Sequence, residues 1–124
     1  MIDFSNGKVI KLSKSKKPAN LDTIRPLLIA GEQIVDEYSA FRDFVIFTNK
    51  RLIVVNVQGL TGAKKDFTSL PYSKIQAFSV ETAGTFDLDA ELELYFSGLG
   101  KVKLEFSGTC DIAQIGHFIS EQIL

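Results

Sequence analysis

The chain has 124 residues, a net charge of −1, 45% hydrophobic residues and 23% charged residues, which is the composition of one ordinary soluble domain. The balanced charge argues against a general nucleic-acid binder, because such proteins are usually clearly basic. The single cysteine, Cys110, excludes an internal disulfide, and no apolar run approaches the roughly 20 residues of a membrane span or forms a signal-peptide core, so we expect a cytoplasmic protein.

Residues 1–19 are predicted to form an extension that precedes a domain over residues 20–124. Asn6-Gly7 predicts a small hairpin, since both residue types accept positive φ angles. The serine- and lysine-rich stretch 13–17 is typical of a solvated linker. The alternative is a basic arm that contacts anionic lipid at the inner membrane face through Lys14, Lys16 and Lys17.

A short helix is predicted next, capped by Asn20 or Asp22 and ended by Gly31. Its apolar residues fall at helical spacing: Leu21, Ile24, Leu27 and Leu28. A mixed strand follows over residues 34–38.

Two apolar runs, residues 44–47 and 52–57, flank the polar turn Thr48-Asn49-Lys50-Arg51 and predict two adjacent antiparallel strands. Both runs are apolar on both faces, although a half-buried strand alternates apolar and polar side chains. One barrel core covers only one face, so another segment or another subunit has to cover the second. We therefore expect a homo-oligomer, with the hypothetical interface formed by Val45, Phe47, Ile53, Val55 and Val57.

Further strands are predicted over residues 65–70 and 75–82, and the clearest alternation in the chain follows over residues 87–96. There the acidic side chains Asp87, Asp89, Glu91 and Glu93 share one strand face. Lys101 and Lys103 lie on the facing strand, so we interpret this as a solvated charge ladder that fixes register. A calcium site needs a glycine-turned loop of oxygen ligands, which a strand does not supply.

The chain ends in a predicted amphipathic helix from about Asp111. Asp111 and Gln114 match a capping box, while Cys110 and Ile115 are placed for a hydrophobic staple. One apolar stripe contains Ile112, Ile115, Phe118, Ile119 and Ile123. Such a helix is expected to close an open barrel end.

Two long strings resemble the bacterial pleckstrin-homology (PH) domain family: FTNKRLIVVNVQGLTGAKK, and SLPYSKIQAFSVETAGTFDLDAELELYFSG ahead of the closing helix. The resemblance extends from about Leu28 to Leu124. It implies a mainly β (α+β) fold, a PH-like barrel of two near-orthogonal antiparallel sheets with about seven strands and a C-terminal helical cap. It also implies ring-like homo-oligomers with no defined biochemical role.

No catalytic constellation, metal site or cofactor site is predicted. Cys110 and His117 are the only soft ligands, and two ligands do not complete a zinc site. The string Gly98-Leu99-Gly100-Lys101 resembles a phosphate loop but precedes a strand, without the helix N-terminus that binds phosphate. The leading interpretation is a non-enzymatic, self-associating scaffold or protein- or peptide-binding module. The alternative is a peripheral membrane protein, and an enzyme ranks third.

Overall fold

The computed structural model describes residues 1–5, 9–15 and 21–124. The predicted Asn6-Gly7 hairpin, the candidate cap Asn20 and two of the candidate lipid contacts, Lys16 and Lys17, lie outside the described residues.

Eight strands and two α-helices follow one another in the described chain, together with 3-10 turns at Arg25–Leu27 and Tyr72–Lys74. The helices are α1 (Leu21–Ile24) and α2 (Ile112–Ile123). The strands are β1 (Val9–Lys14), β2 (Ile34–Ser39), β3 (Asp43–Thr48), β4 (Arg51–Gln58), β5 (Lys64–Pro71), β6 (Ile75–Glu81), β7 (Ala90–Phe96) and β8 (Gly100–Phe106).

The strand order is β5-β4-β3-β2-β1-β8-β7-β6, so β1 joins an antiparallel sheet β2–β5 to an antiparallel sheet β6–β8. β1 runs antiparallel to β2 and parallel to β8. The sequence predicted about seven strands, and β1 is the additional one. Ser13 and Lys14 pair with Ser39 and Tyr38, whereas their composition predicted a linker. Leu12, fully buried in the barrel, holds β1 in place.

The inner faces of the two sheets form the main core, and α2 closes one end of it. Leu92, Leu94, Val102 and Leu104 are fully buried there, together with Ile119 from α2. The predicted capping of α2 is confirmed, because the Asp111 carboxylate accepts a hydrogen bond from the Gln114 N–H at 3.1 Å. Edge-to-face contacts of Phe118 with Phe47 and Tyr72 attach the helix to the barrel.

The second apolar face of β3 and β4 is covered by another segment of the same chain. Phe44, Ile46, Ile53 and Val55 form a separate core cluster with Ile24 of α1, and the half-buried Leu28 packs against it. The pairing Val45↔Val54 and Ile46↔Ile53 shows which residues share a face. Val45 and Phe47 therefore face the barrel, whereas Ile53 and Val55 face α1.

The acidic stretch before β7 differs from its prediction. β7 begins at Ala90, so Asp87 and Asp89 lie in the preceding loop, where the Asp87 carboxylate accepts the Asp89 N–H at 3.1 Å. Glu91 and Glu93 do form the predicted ladder with Lys103 and Lys101, at nitrogen–oxygen distances of 3.5–3.8 Å.

Candidate functional surfaces

A buried ion pair anchors the segment between α1 and β2 to the start of β4. The Glu32 side chain is fully buried, and its carboxylate accepts two hydrogen bonds from the Arg51 guanidinium, from Nε and Nη2, both at 2.9 Å. The same carboxylate accepts the Thr48 hydroxyl at 2.7 Å and the Ile29 N–H at 3.2 Å. All four bonds converge on one carboxylate, so this segment is held against the β3–β4 turn.

Neighbouring residues of the turn extend the network. Asn49 accepts the Gln33 N–H at 2.8 Å and donates to the Gly31 carbonyl at 3.0 Å. The Tyr72 hydroxyl donates to the Thr48 carbonyl at 2.7 Å. Burial raises the pKa of Glu32, but the hydrogen bonds from Arg51, Thr48 and Ile29 outweigh it, and the pKa lies below its ordinary value. The carboxylate therefore remains ionised at neutral pH.

These contacts show that the turn Thr48-Asn49-Lys50-Arg51 has a structural role. The sequence predicted only a polar turn here, yet Arg51 is four-fifths buried and also donates to the Leu27 carbonyl. Its charge is neutralised by Glu32. Sequence reasoning missed Glu32, because no local pattern matches an isolated acid with an arginine 19 residues later.

The outer edge of β6 is an open strand edge. In the part of the chain that the structure describes, β6 pairs with β7 alone and ends the sheet. Ala77, Ser79 and Glu81 are exposed along this strand. The loop that follows carries Phe86, which is fully exposed.

Two adjacent loops present apolar tips to solvent. Phe41, between β2 and β3, is 98% exposed, and Leu60, between β4 and β5, is as exposed as in an extended peptide. Arg42 joins the loops by donating from its guanidinium to the Gly59 carbonyl, and its own carbonyl accepts the Val57 N–H at 3.0 Å. Arg42 is exposed at the base of these tips.

The residues predicted as an oligomer interface are not brought together on one surface. Val45 and Phe47 are buried inside the barrel, Ile53 and Val55 are buried beneath α1, and Val57 is half-buried at the rim of that second cluster. Lys14, a predicted lipid contact, lies with its ammonium 3.6 Å from the Asp36 carboxylate.

Among residues 1–5, 9–15 and 21–124, no three histidine, cysteine, aspartate or glutamate side chains are grouped so that they could hold a metal ion. Within the same residues, no helix has the length and apolar character needed to span a membrane.

A mainly antiparallel barrel closed at one end by a C-terminal amphipathic helix defines the chain as a PH-like domain. The family model described as the bacterial PH domain matches residues 3–123. The chain belongs to this bacterial PH domain family.

Similar proteins support the same assignment. The chain is 43% identical to the uncharacterized protein YjqA of Bacillus subtilis (strain 168) over 95 residues, which cover 77% of this chain and 76% of that protein. It is 37% identical to a DUF1696 family protein with a pleckstrin-homology domain from Shewanella loihica PV-4. That structure superposes with a TM-score of 0.80, covering 93% of this chain and 99% of the other. A pleckstrin homology domain from Shewanella amazonensis SB2B is 38% identical, with a TM-score of 0.68 over 89% of this chain and 91% of the other.

Proposed function

We propose that this protein is a non-enzymatic PH-like module that self-associates into a ring-like homo-oligomer and acts as a scaffold for a protein or peptide partner. The observation that carries the proposal is the open edge of β6. An exposed edge strand is a template for pairing with another chain, and proteins usually protect such edges with lysine, proline or a bulge. The pairing of β6 with β7 is irregular between Ile75 and Ala77, so the regular and largely exposed part of this edge is the five residues that begin at Ala77. From Ala77 to Glu81, β6 contains neither lysine nor proline and pairs with β7 without a register shift.

The second sheet edge is β5, where the side chains of Asp66 and Thr68 already bind the Met1 ammonium and the Ile2 N–H, and a head-to-tail contact would form beside these residues. A contact between two different surfaces of the subunit generates a ring when its rotation closes. An antiparallel alignment of β5 from one copy with β6 from the next places Lys64 and Lys65, which begin β5, opposite Glu81, which ends β6. These opposite charges favour that alignment over its reverse.

Solution mass tests the proposal directly. Light scattering coupled to gel filtration should give the wild-type chain a multiple of its 13.7 kDa monomer mass at micromolar concentration. The double substitution Ala77→Lys, Ser79→Lys places two cations on the open edge and should shift the protein towards monomer. Thr23→Lys, an exposed change on α1, is the matched control and should leave the mass unchanged. A monomeric wild-type protein refutes self-association.

A second candidate function, attachment to an anionic membrane, is supported by the exposed tips Phe41 and Leu60 beside the exposed cations Arg42 and Lys64. Apolar groups at a membrane interface are buried from water while nearby cations are attracted to anionic headgroups. Wild-type protein should then co-sediment with phosphatidylglycerol vesicles, less so as salt rises, and the double variant Phe41→Ser, Leu60→Ser should not. Phe86→Ser, an equally exposed phenylalanine elsewhere, is the control. Equal losses in the two variants would contradict a loop-specific contact.

A further inference from the structure

A small cleft lies between β2 and the N-terminal half of α2. Its volume is about 90 Å³, and its aromatic walls are Tyr38, Phe47 and Phe118. Val35, also in the lining, is half exposed, so the cleft opens to solvent. The space admits several water molecules and is therefore large enough for a planar group of four heavy atoms.

The polar groups of the cleft are mainly acceptors. Asp36, which lines it, receives the Glu37 N–H at 3.0 Å through Oδ1 and the Tyr38 hydroxyl at 3.3 Å through Oδ2. The Gln114 side chain, exposed on α2, supplies an amide. Burial, and after it the charge of Asp36, raises the pKa of the Tyr38 hydroxyl well above its ordinary value, and the Asp111 carboxylate acts in the same direction. The surroundings of Tyr38 are therefore acidic.

A lysine side chain of the same chain already pairs with the Asp36 carboxylate. The Lys14 ammonium lies 3.6 Å from Oδ2 of Asp36, but the lysine side chain is two-thirds exposed. Lys14 does not line the cleft, so it pairs with the carboxylate from outside and does not enter the space between the aromatic rings.

We propose that this cleft binds the guanidinium group of an arginine side chain presented by a protein partner. A guanidinium is planar, is more weakly hydrated than an ammonium and stacks on aromatic rings, so it suits a narrow aromatic cleft better than lysine does. Its forked N–H groups can donate to the Asp36 carboxylate and to the Gln114 amide oxygen. This site is separate from the open edge of β6, and its occupancy does not depend on self-association.

Titration of the full chain with N-acetylarginine amide, followed by amide chemical shifts in NMR spectra, tests the proposal. Saturable shifts are expected at β2 and at the first turns of α2, with N-acetylcitrulline amide, the neutral isostere, producing none. Nα-acetyllysine amide, which keeps its side-chain ammonium, should bind more weakly than the arginine ligand, because the compact ammonium loses hydration without stacking.

Two variants should change the affinity in opposite directions. Asp36→Asn keeps an acceptor oxygen for the Glu37 N–H but removes the charge, and should weaken arginine binding by about tenfold or more. Lys14→Gln removes the internal competitor and should strengthen binding by about two- to fivefold, the range of an exposed ion pair.

The fully exposed Asp22 provides the matched control, because Asp22→Asn removes the same charge far from the cleft and should leave binding unchanged. Equal affinity for the arginine and citrulline ligands would overturn the proposal. The proposal would also be overturned if Asp22→Asn weakened arginine binding as much as Asp36→Asn does, or if Lys14→Gln bound arginine more weakly than wild type. If Asp36→Asn does not fold, the affinity of Lys14→Gln for the arginine ligand still tests the proposal.

Discussion

Replacing Glu32 with glutamine should be one of the most damaging single-atom changes in this protein. Each oxygen of the Glu32 carboxylate accepts one hydrogen bond from Arg51 and a second from Thr48 or Ile29. Glutamine supplies one oxygen and one NH₂ group. If the NH₂ group takes the place of Oε1, it meets the N–H groups of Arg51 and Ile29, and both hydrogen bonds are lost. If it takes the place of Oε2, it faces the Thr48 hydroxyl, which can accept, but it still meets the Arg51 Nε–H, so one bond to Arg51 is lost in either orientation.

The loss of charge adds to the loss of these bonds. Removing one partner of a buried ion pair typically costs about 3–5 kcal/mol, because the other charge stays buried without compensation. Arg51 keeps its bonds to the Ser69 hydroxyl at 3.0 Å and the Leu27 carbonyl at 2.6 Å, and one-fifth of its side chain is exposed. We therefore expect the lower end of the range, about 3 kcal/mol, which lowers Tm by roughly 10 °C for a domain of this size.

Urea unfolding at several pH values measures this effect. The pKa of Glu32 is lower in the folded chain than its ordinary value of 4.5, so its contribution is complete above that pH and is lost as the pH falls through the folded pKa. The difference between wild type and Glu32→Gln should be full at pH 7 and shrink below about pH 4.5. Glu91→Gln, in the ladder with the half-exposed Lys103, should change stability by less than about 1 kcal/mol. Equal stability losses in the two variants at pH 7, or a Glu32 effect independent of pH, would refute the reasoning.

Three further changes test the packing by thermal unfolding. Ile119→Asp places a carboxylate in the fully buried position beneath α2 and should unfold the domain, with a loss of more than about 4 kcal/mol; a native melting curve would contradict the assignment of the helix stripe. Gly108→Ala should destabilise strongly, because its Cβ would lie 2.1 Å from the Leu88 carbonyl oxygen, whereas Gly116→Ala meets only a Val80 methyl at 3.0 Å and gains up to about 1 kcal/mol of helix propensity. Equal changes in Tm for the two glycine variants would show that the backbone at Leu88 moves as easily as the Val80 side chain. Lys11→Gly should raise Tm slightly, because Lys11 has a φ of 59°, a conformation that costs most residues about 1 kcal/mol; a lower Tm would mean that the lysine side chain outweighs this strain.

The sequence by itself predicted the types and the order of the elements after residue 20. The end of the first helix was predicted wrongly, because α1 ends at Ile24 and is followed by a 3-10 turn at Arg25–Leu27 instead of continuing to Gly31. A side chain's direction in a strand or helix depends on backbone geometry, so alternation along residues 90–96 and the apolar stripe of α2 predict a strand and a capped helix without knowledge of the partners. The same local reasoning predicted the ladder between Glu93 and Lys101. It also showed that both faces of β3 and β4 must be covered.

Tertiary structure alone decided what covers each face. Alternation separates Val45 from Ile46 within β3, but only the pairing with β4 shows that Ile46 shares its face with Ile53. The hypothetical interface combined residues of both faces, because the sequence of neither strand shows how the two strands are aligned. The coverage by α1, the insertion of β1 and the Glu32–Arg51 pair all join distant residues. Such contacts depend on how the chain closes on itself, and closure leaves no periodic signal in the sequence.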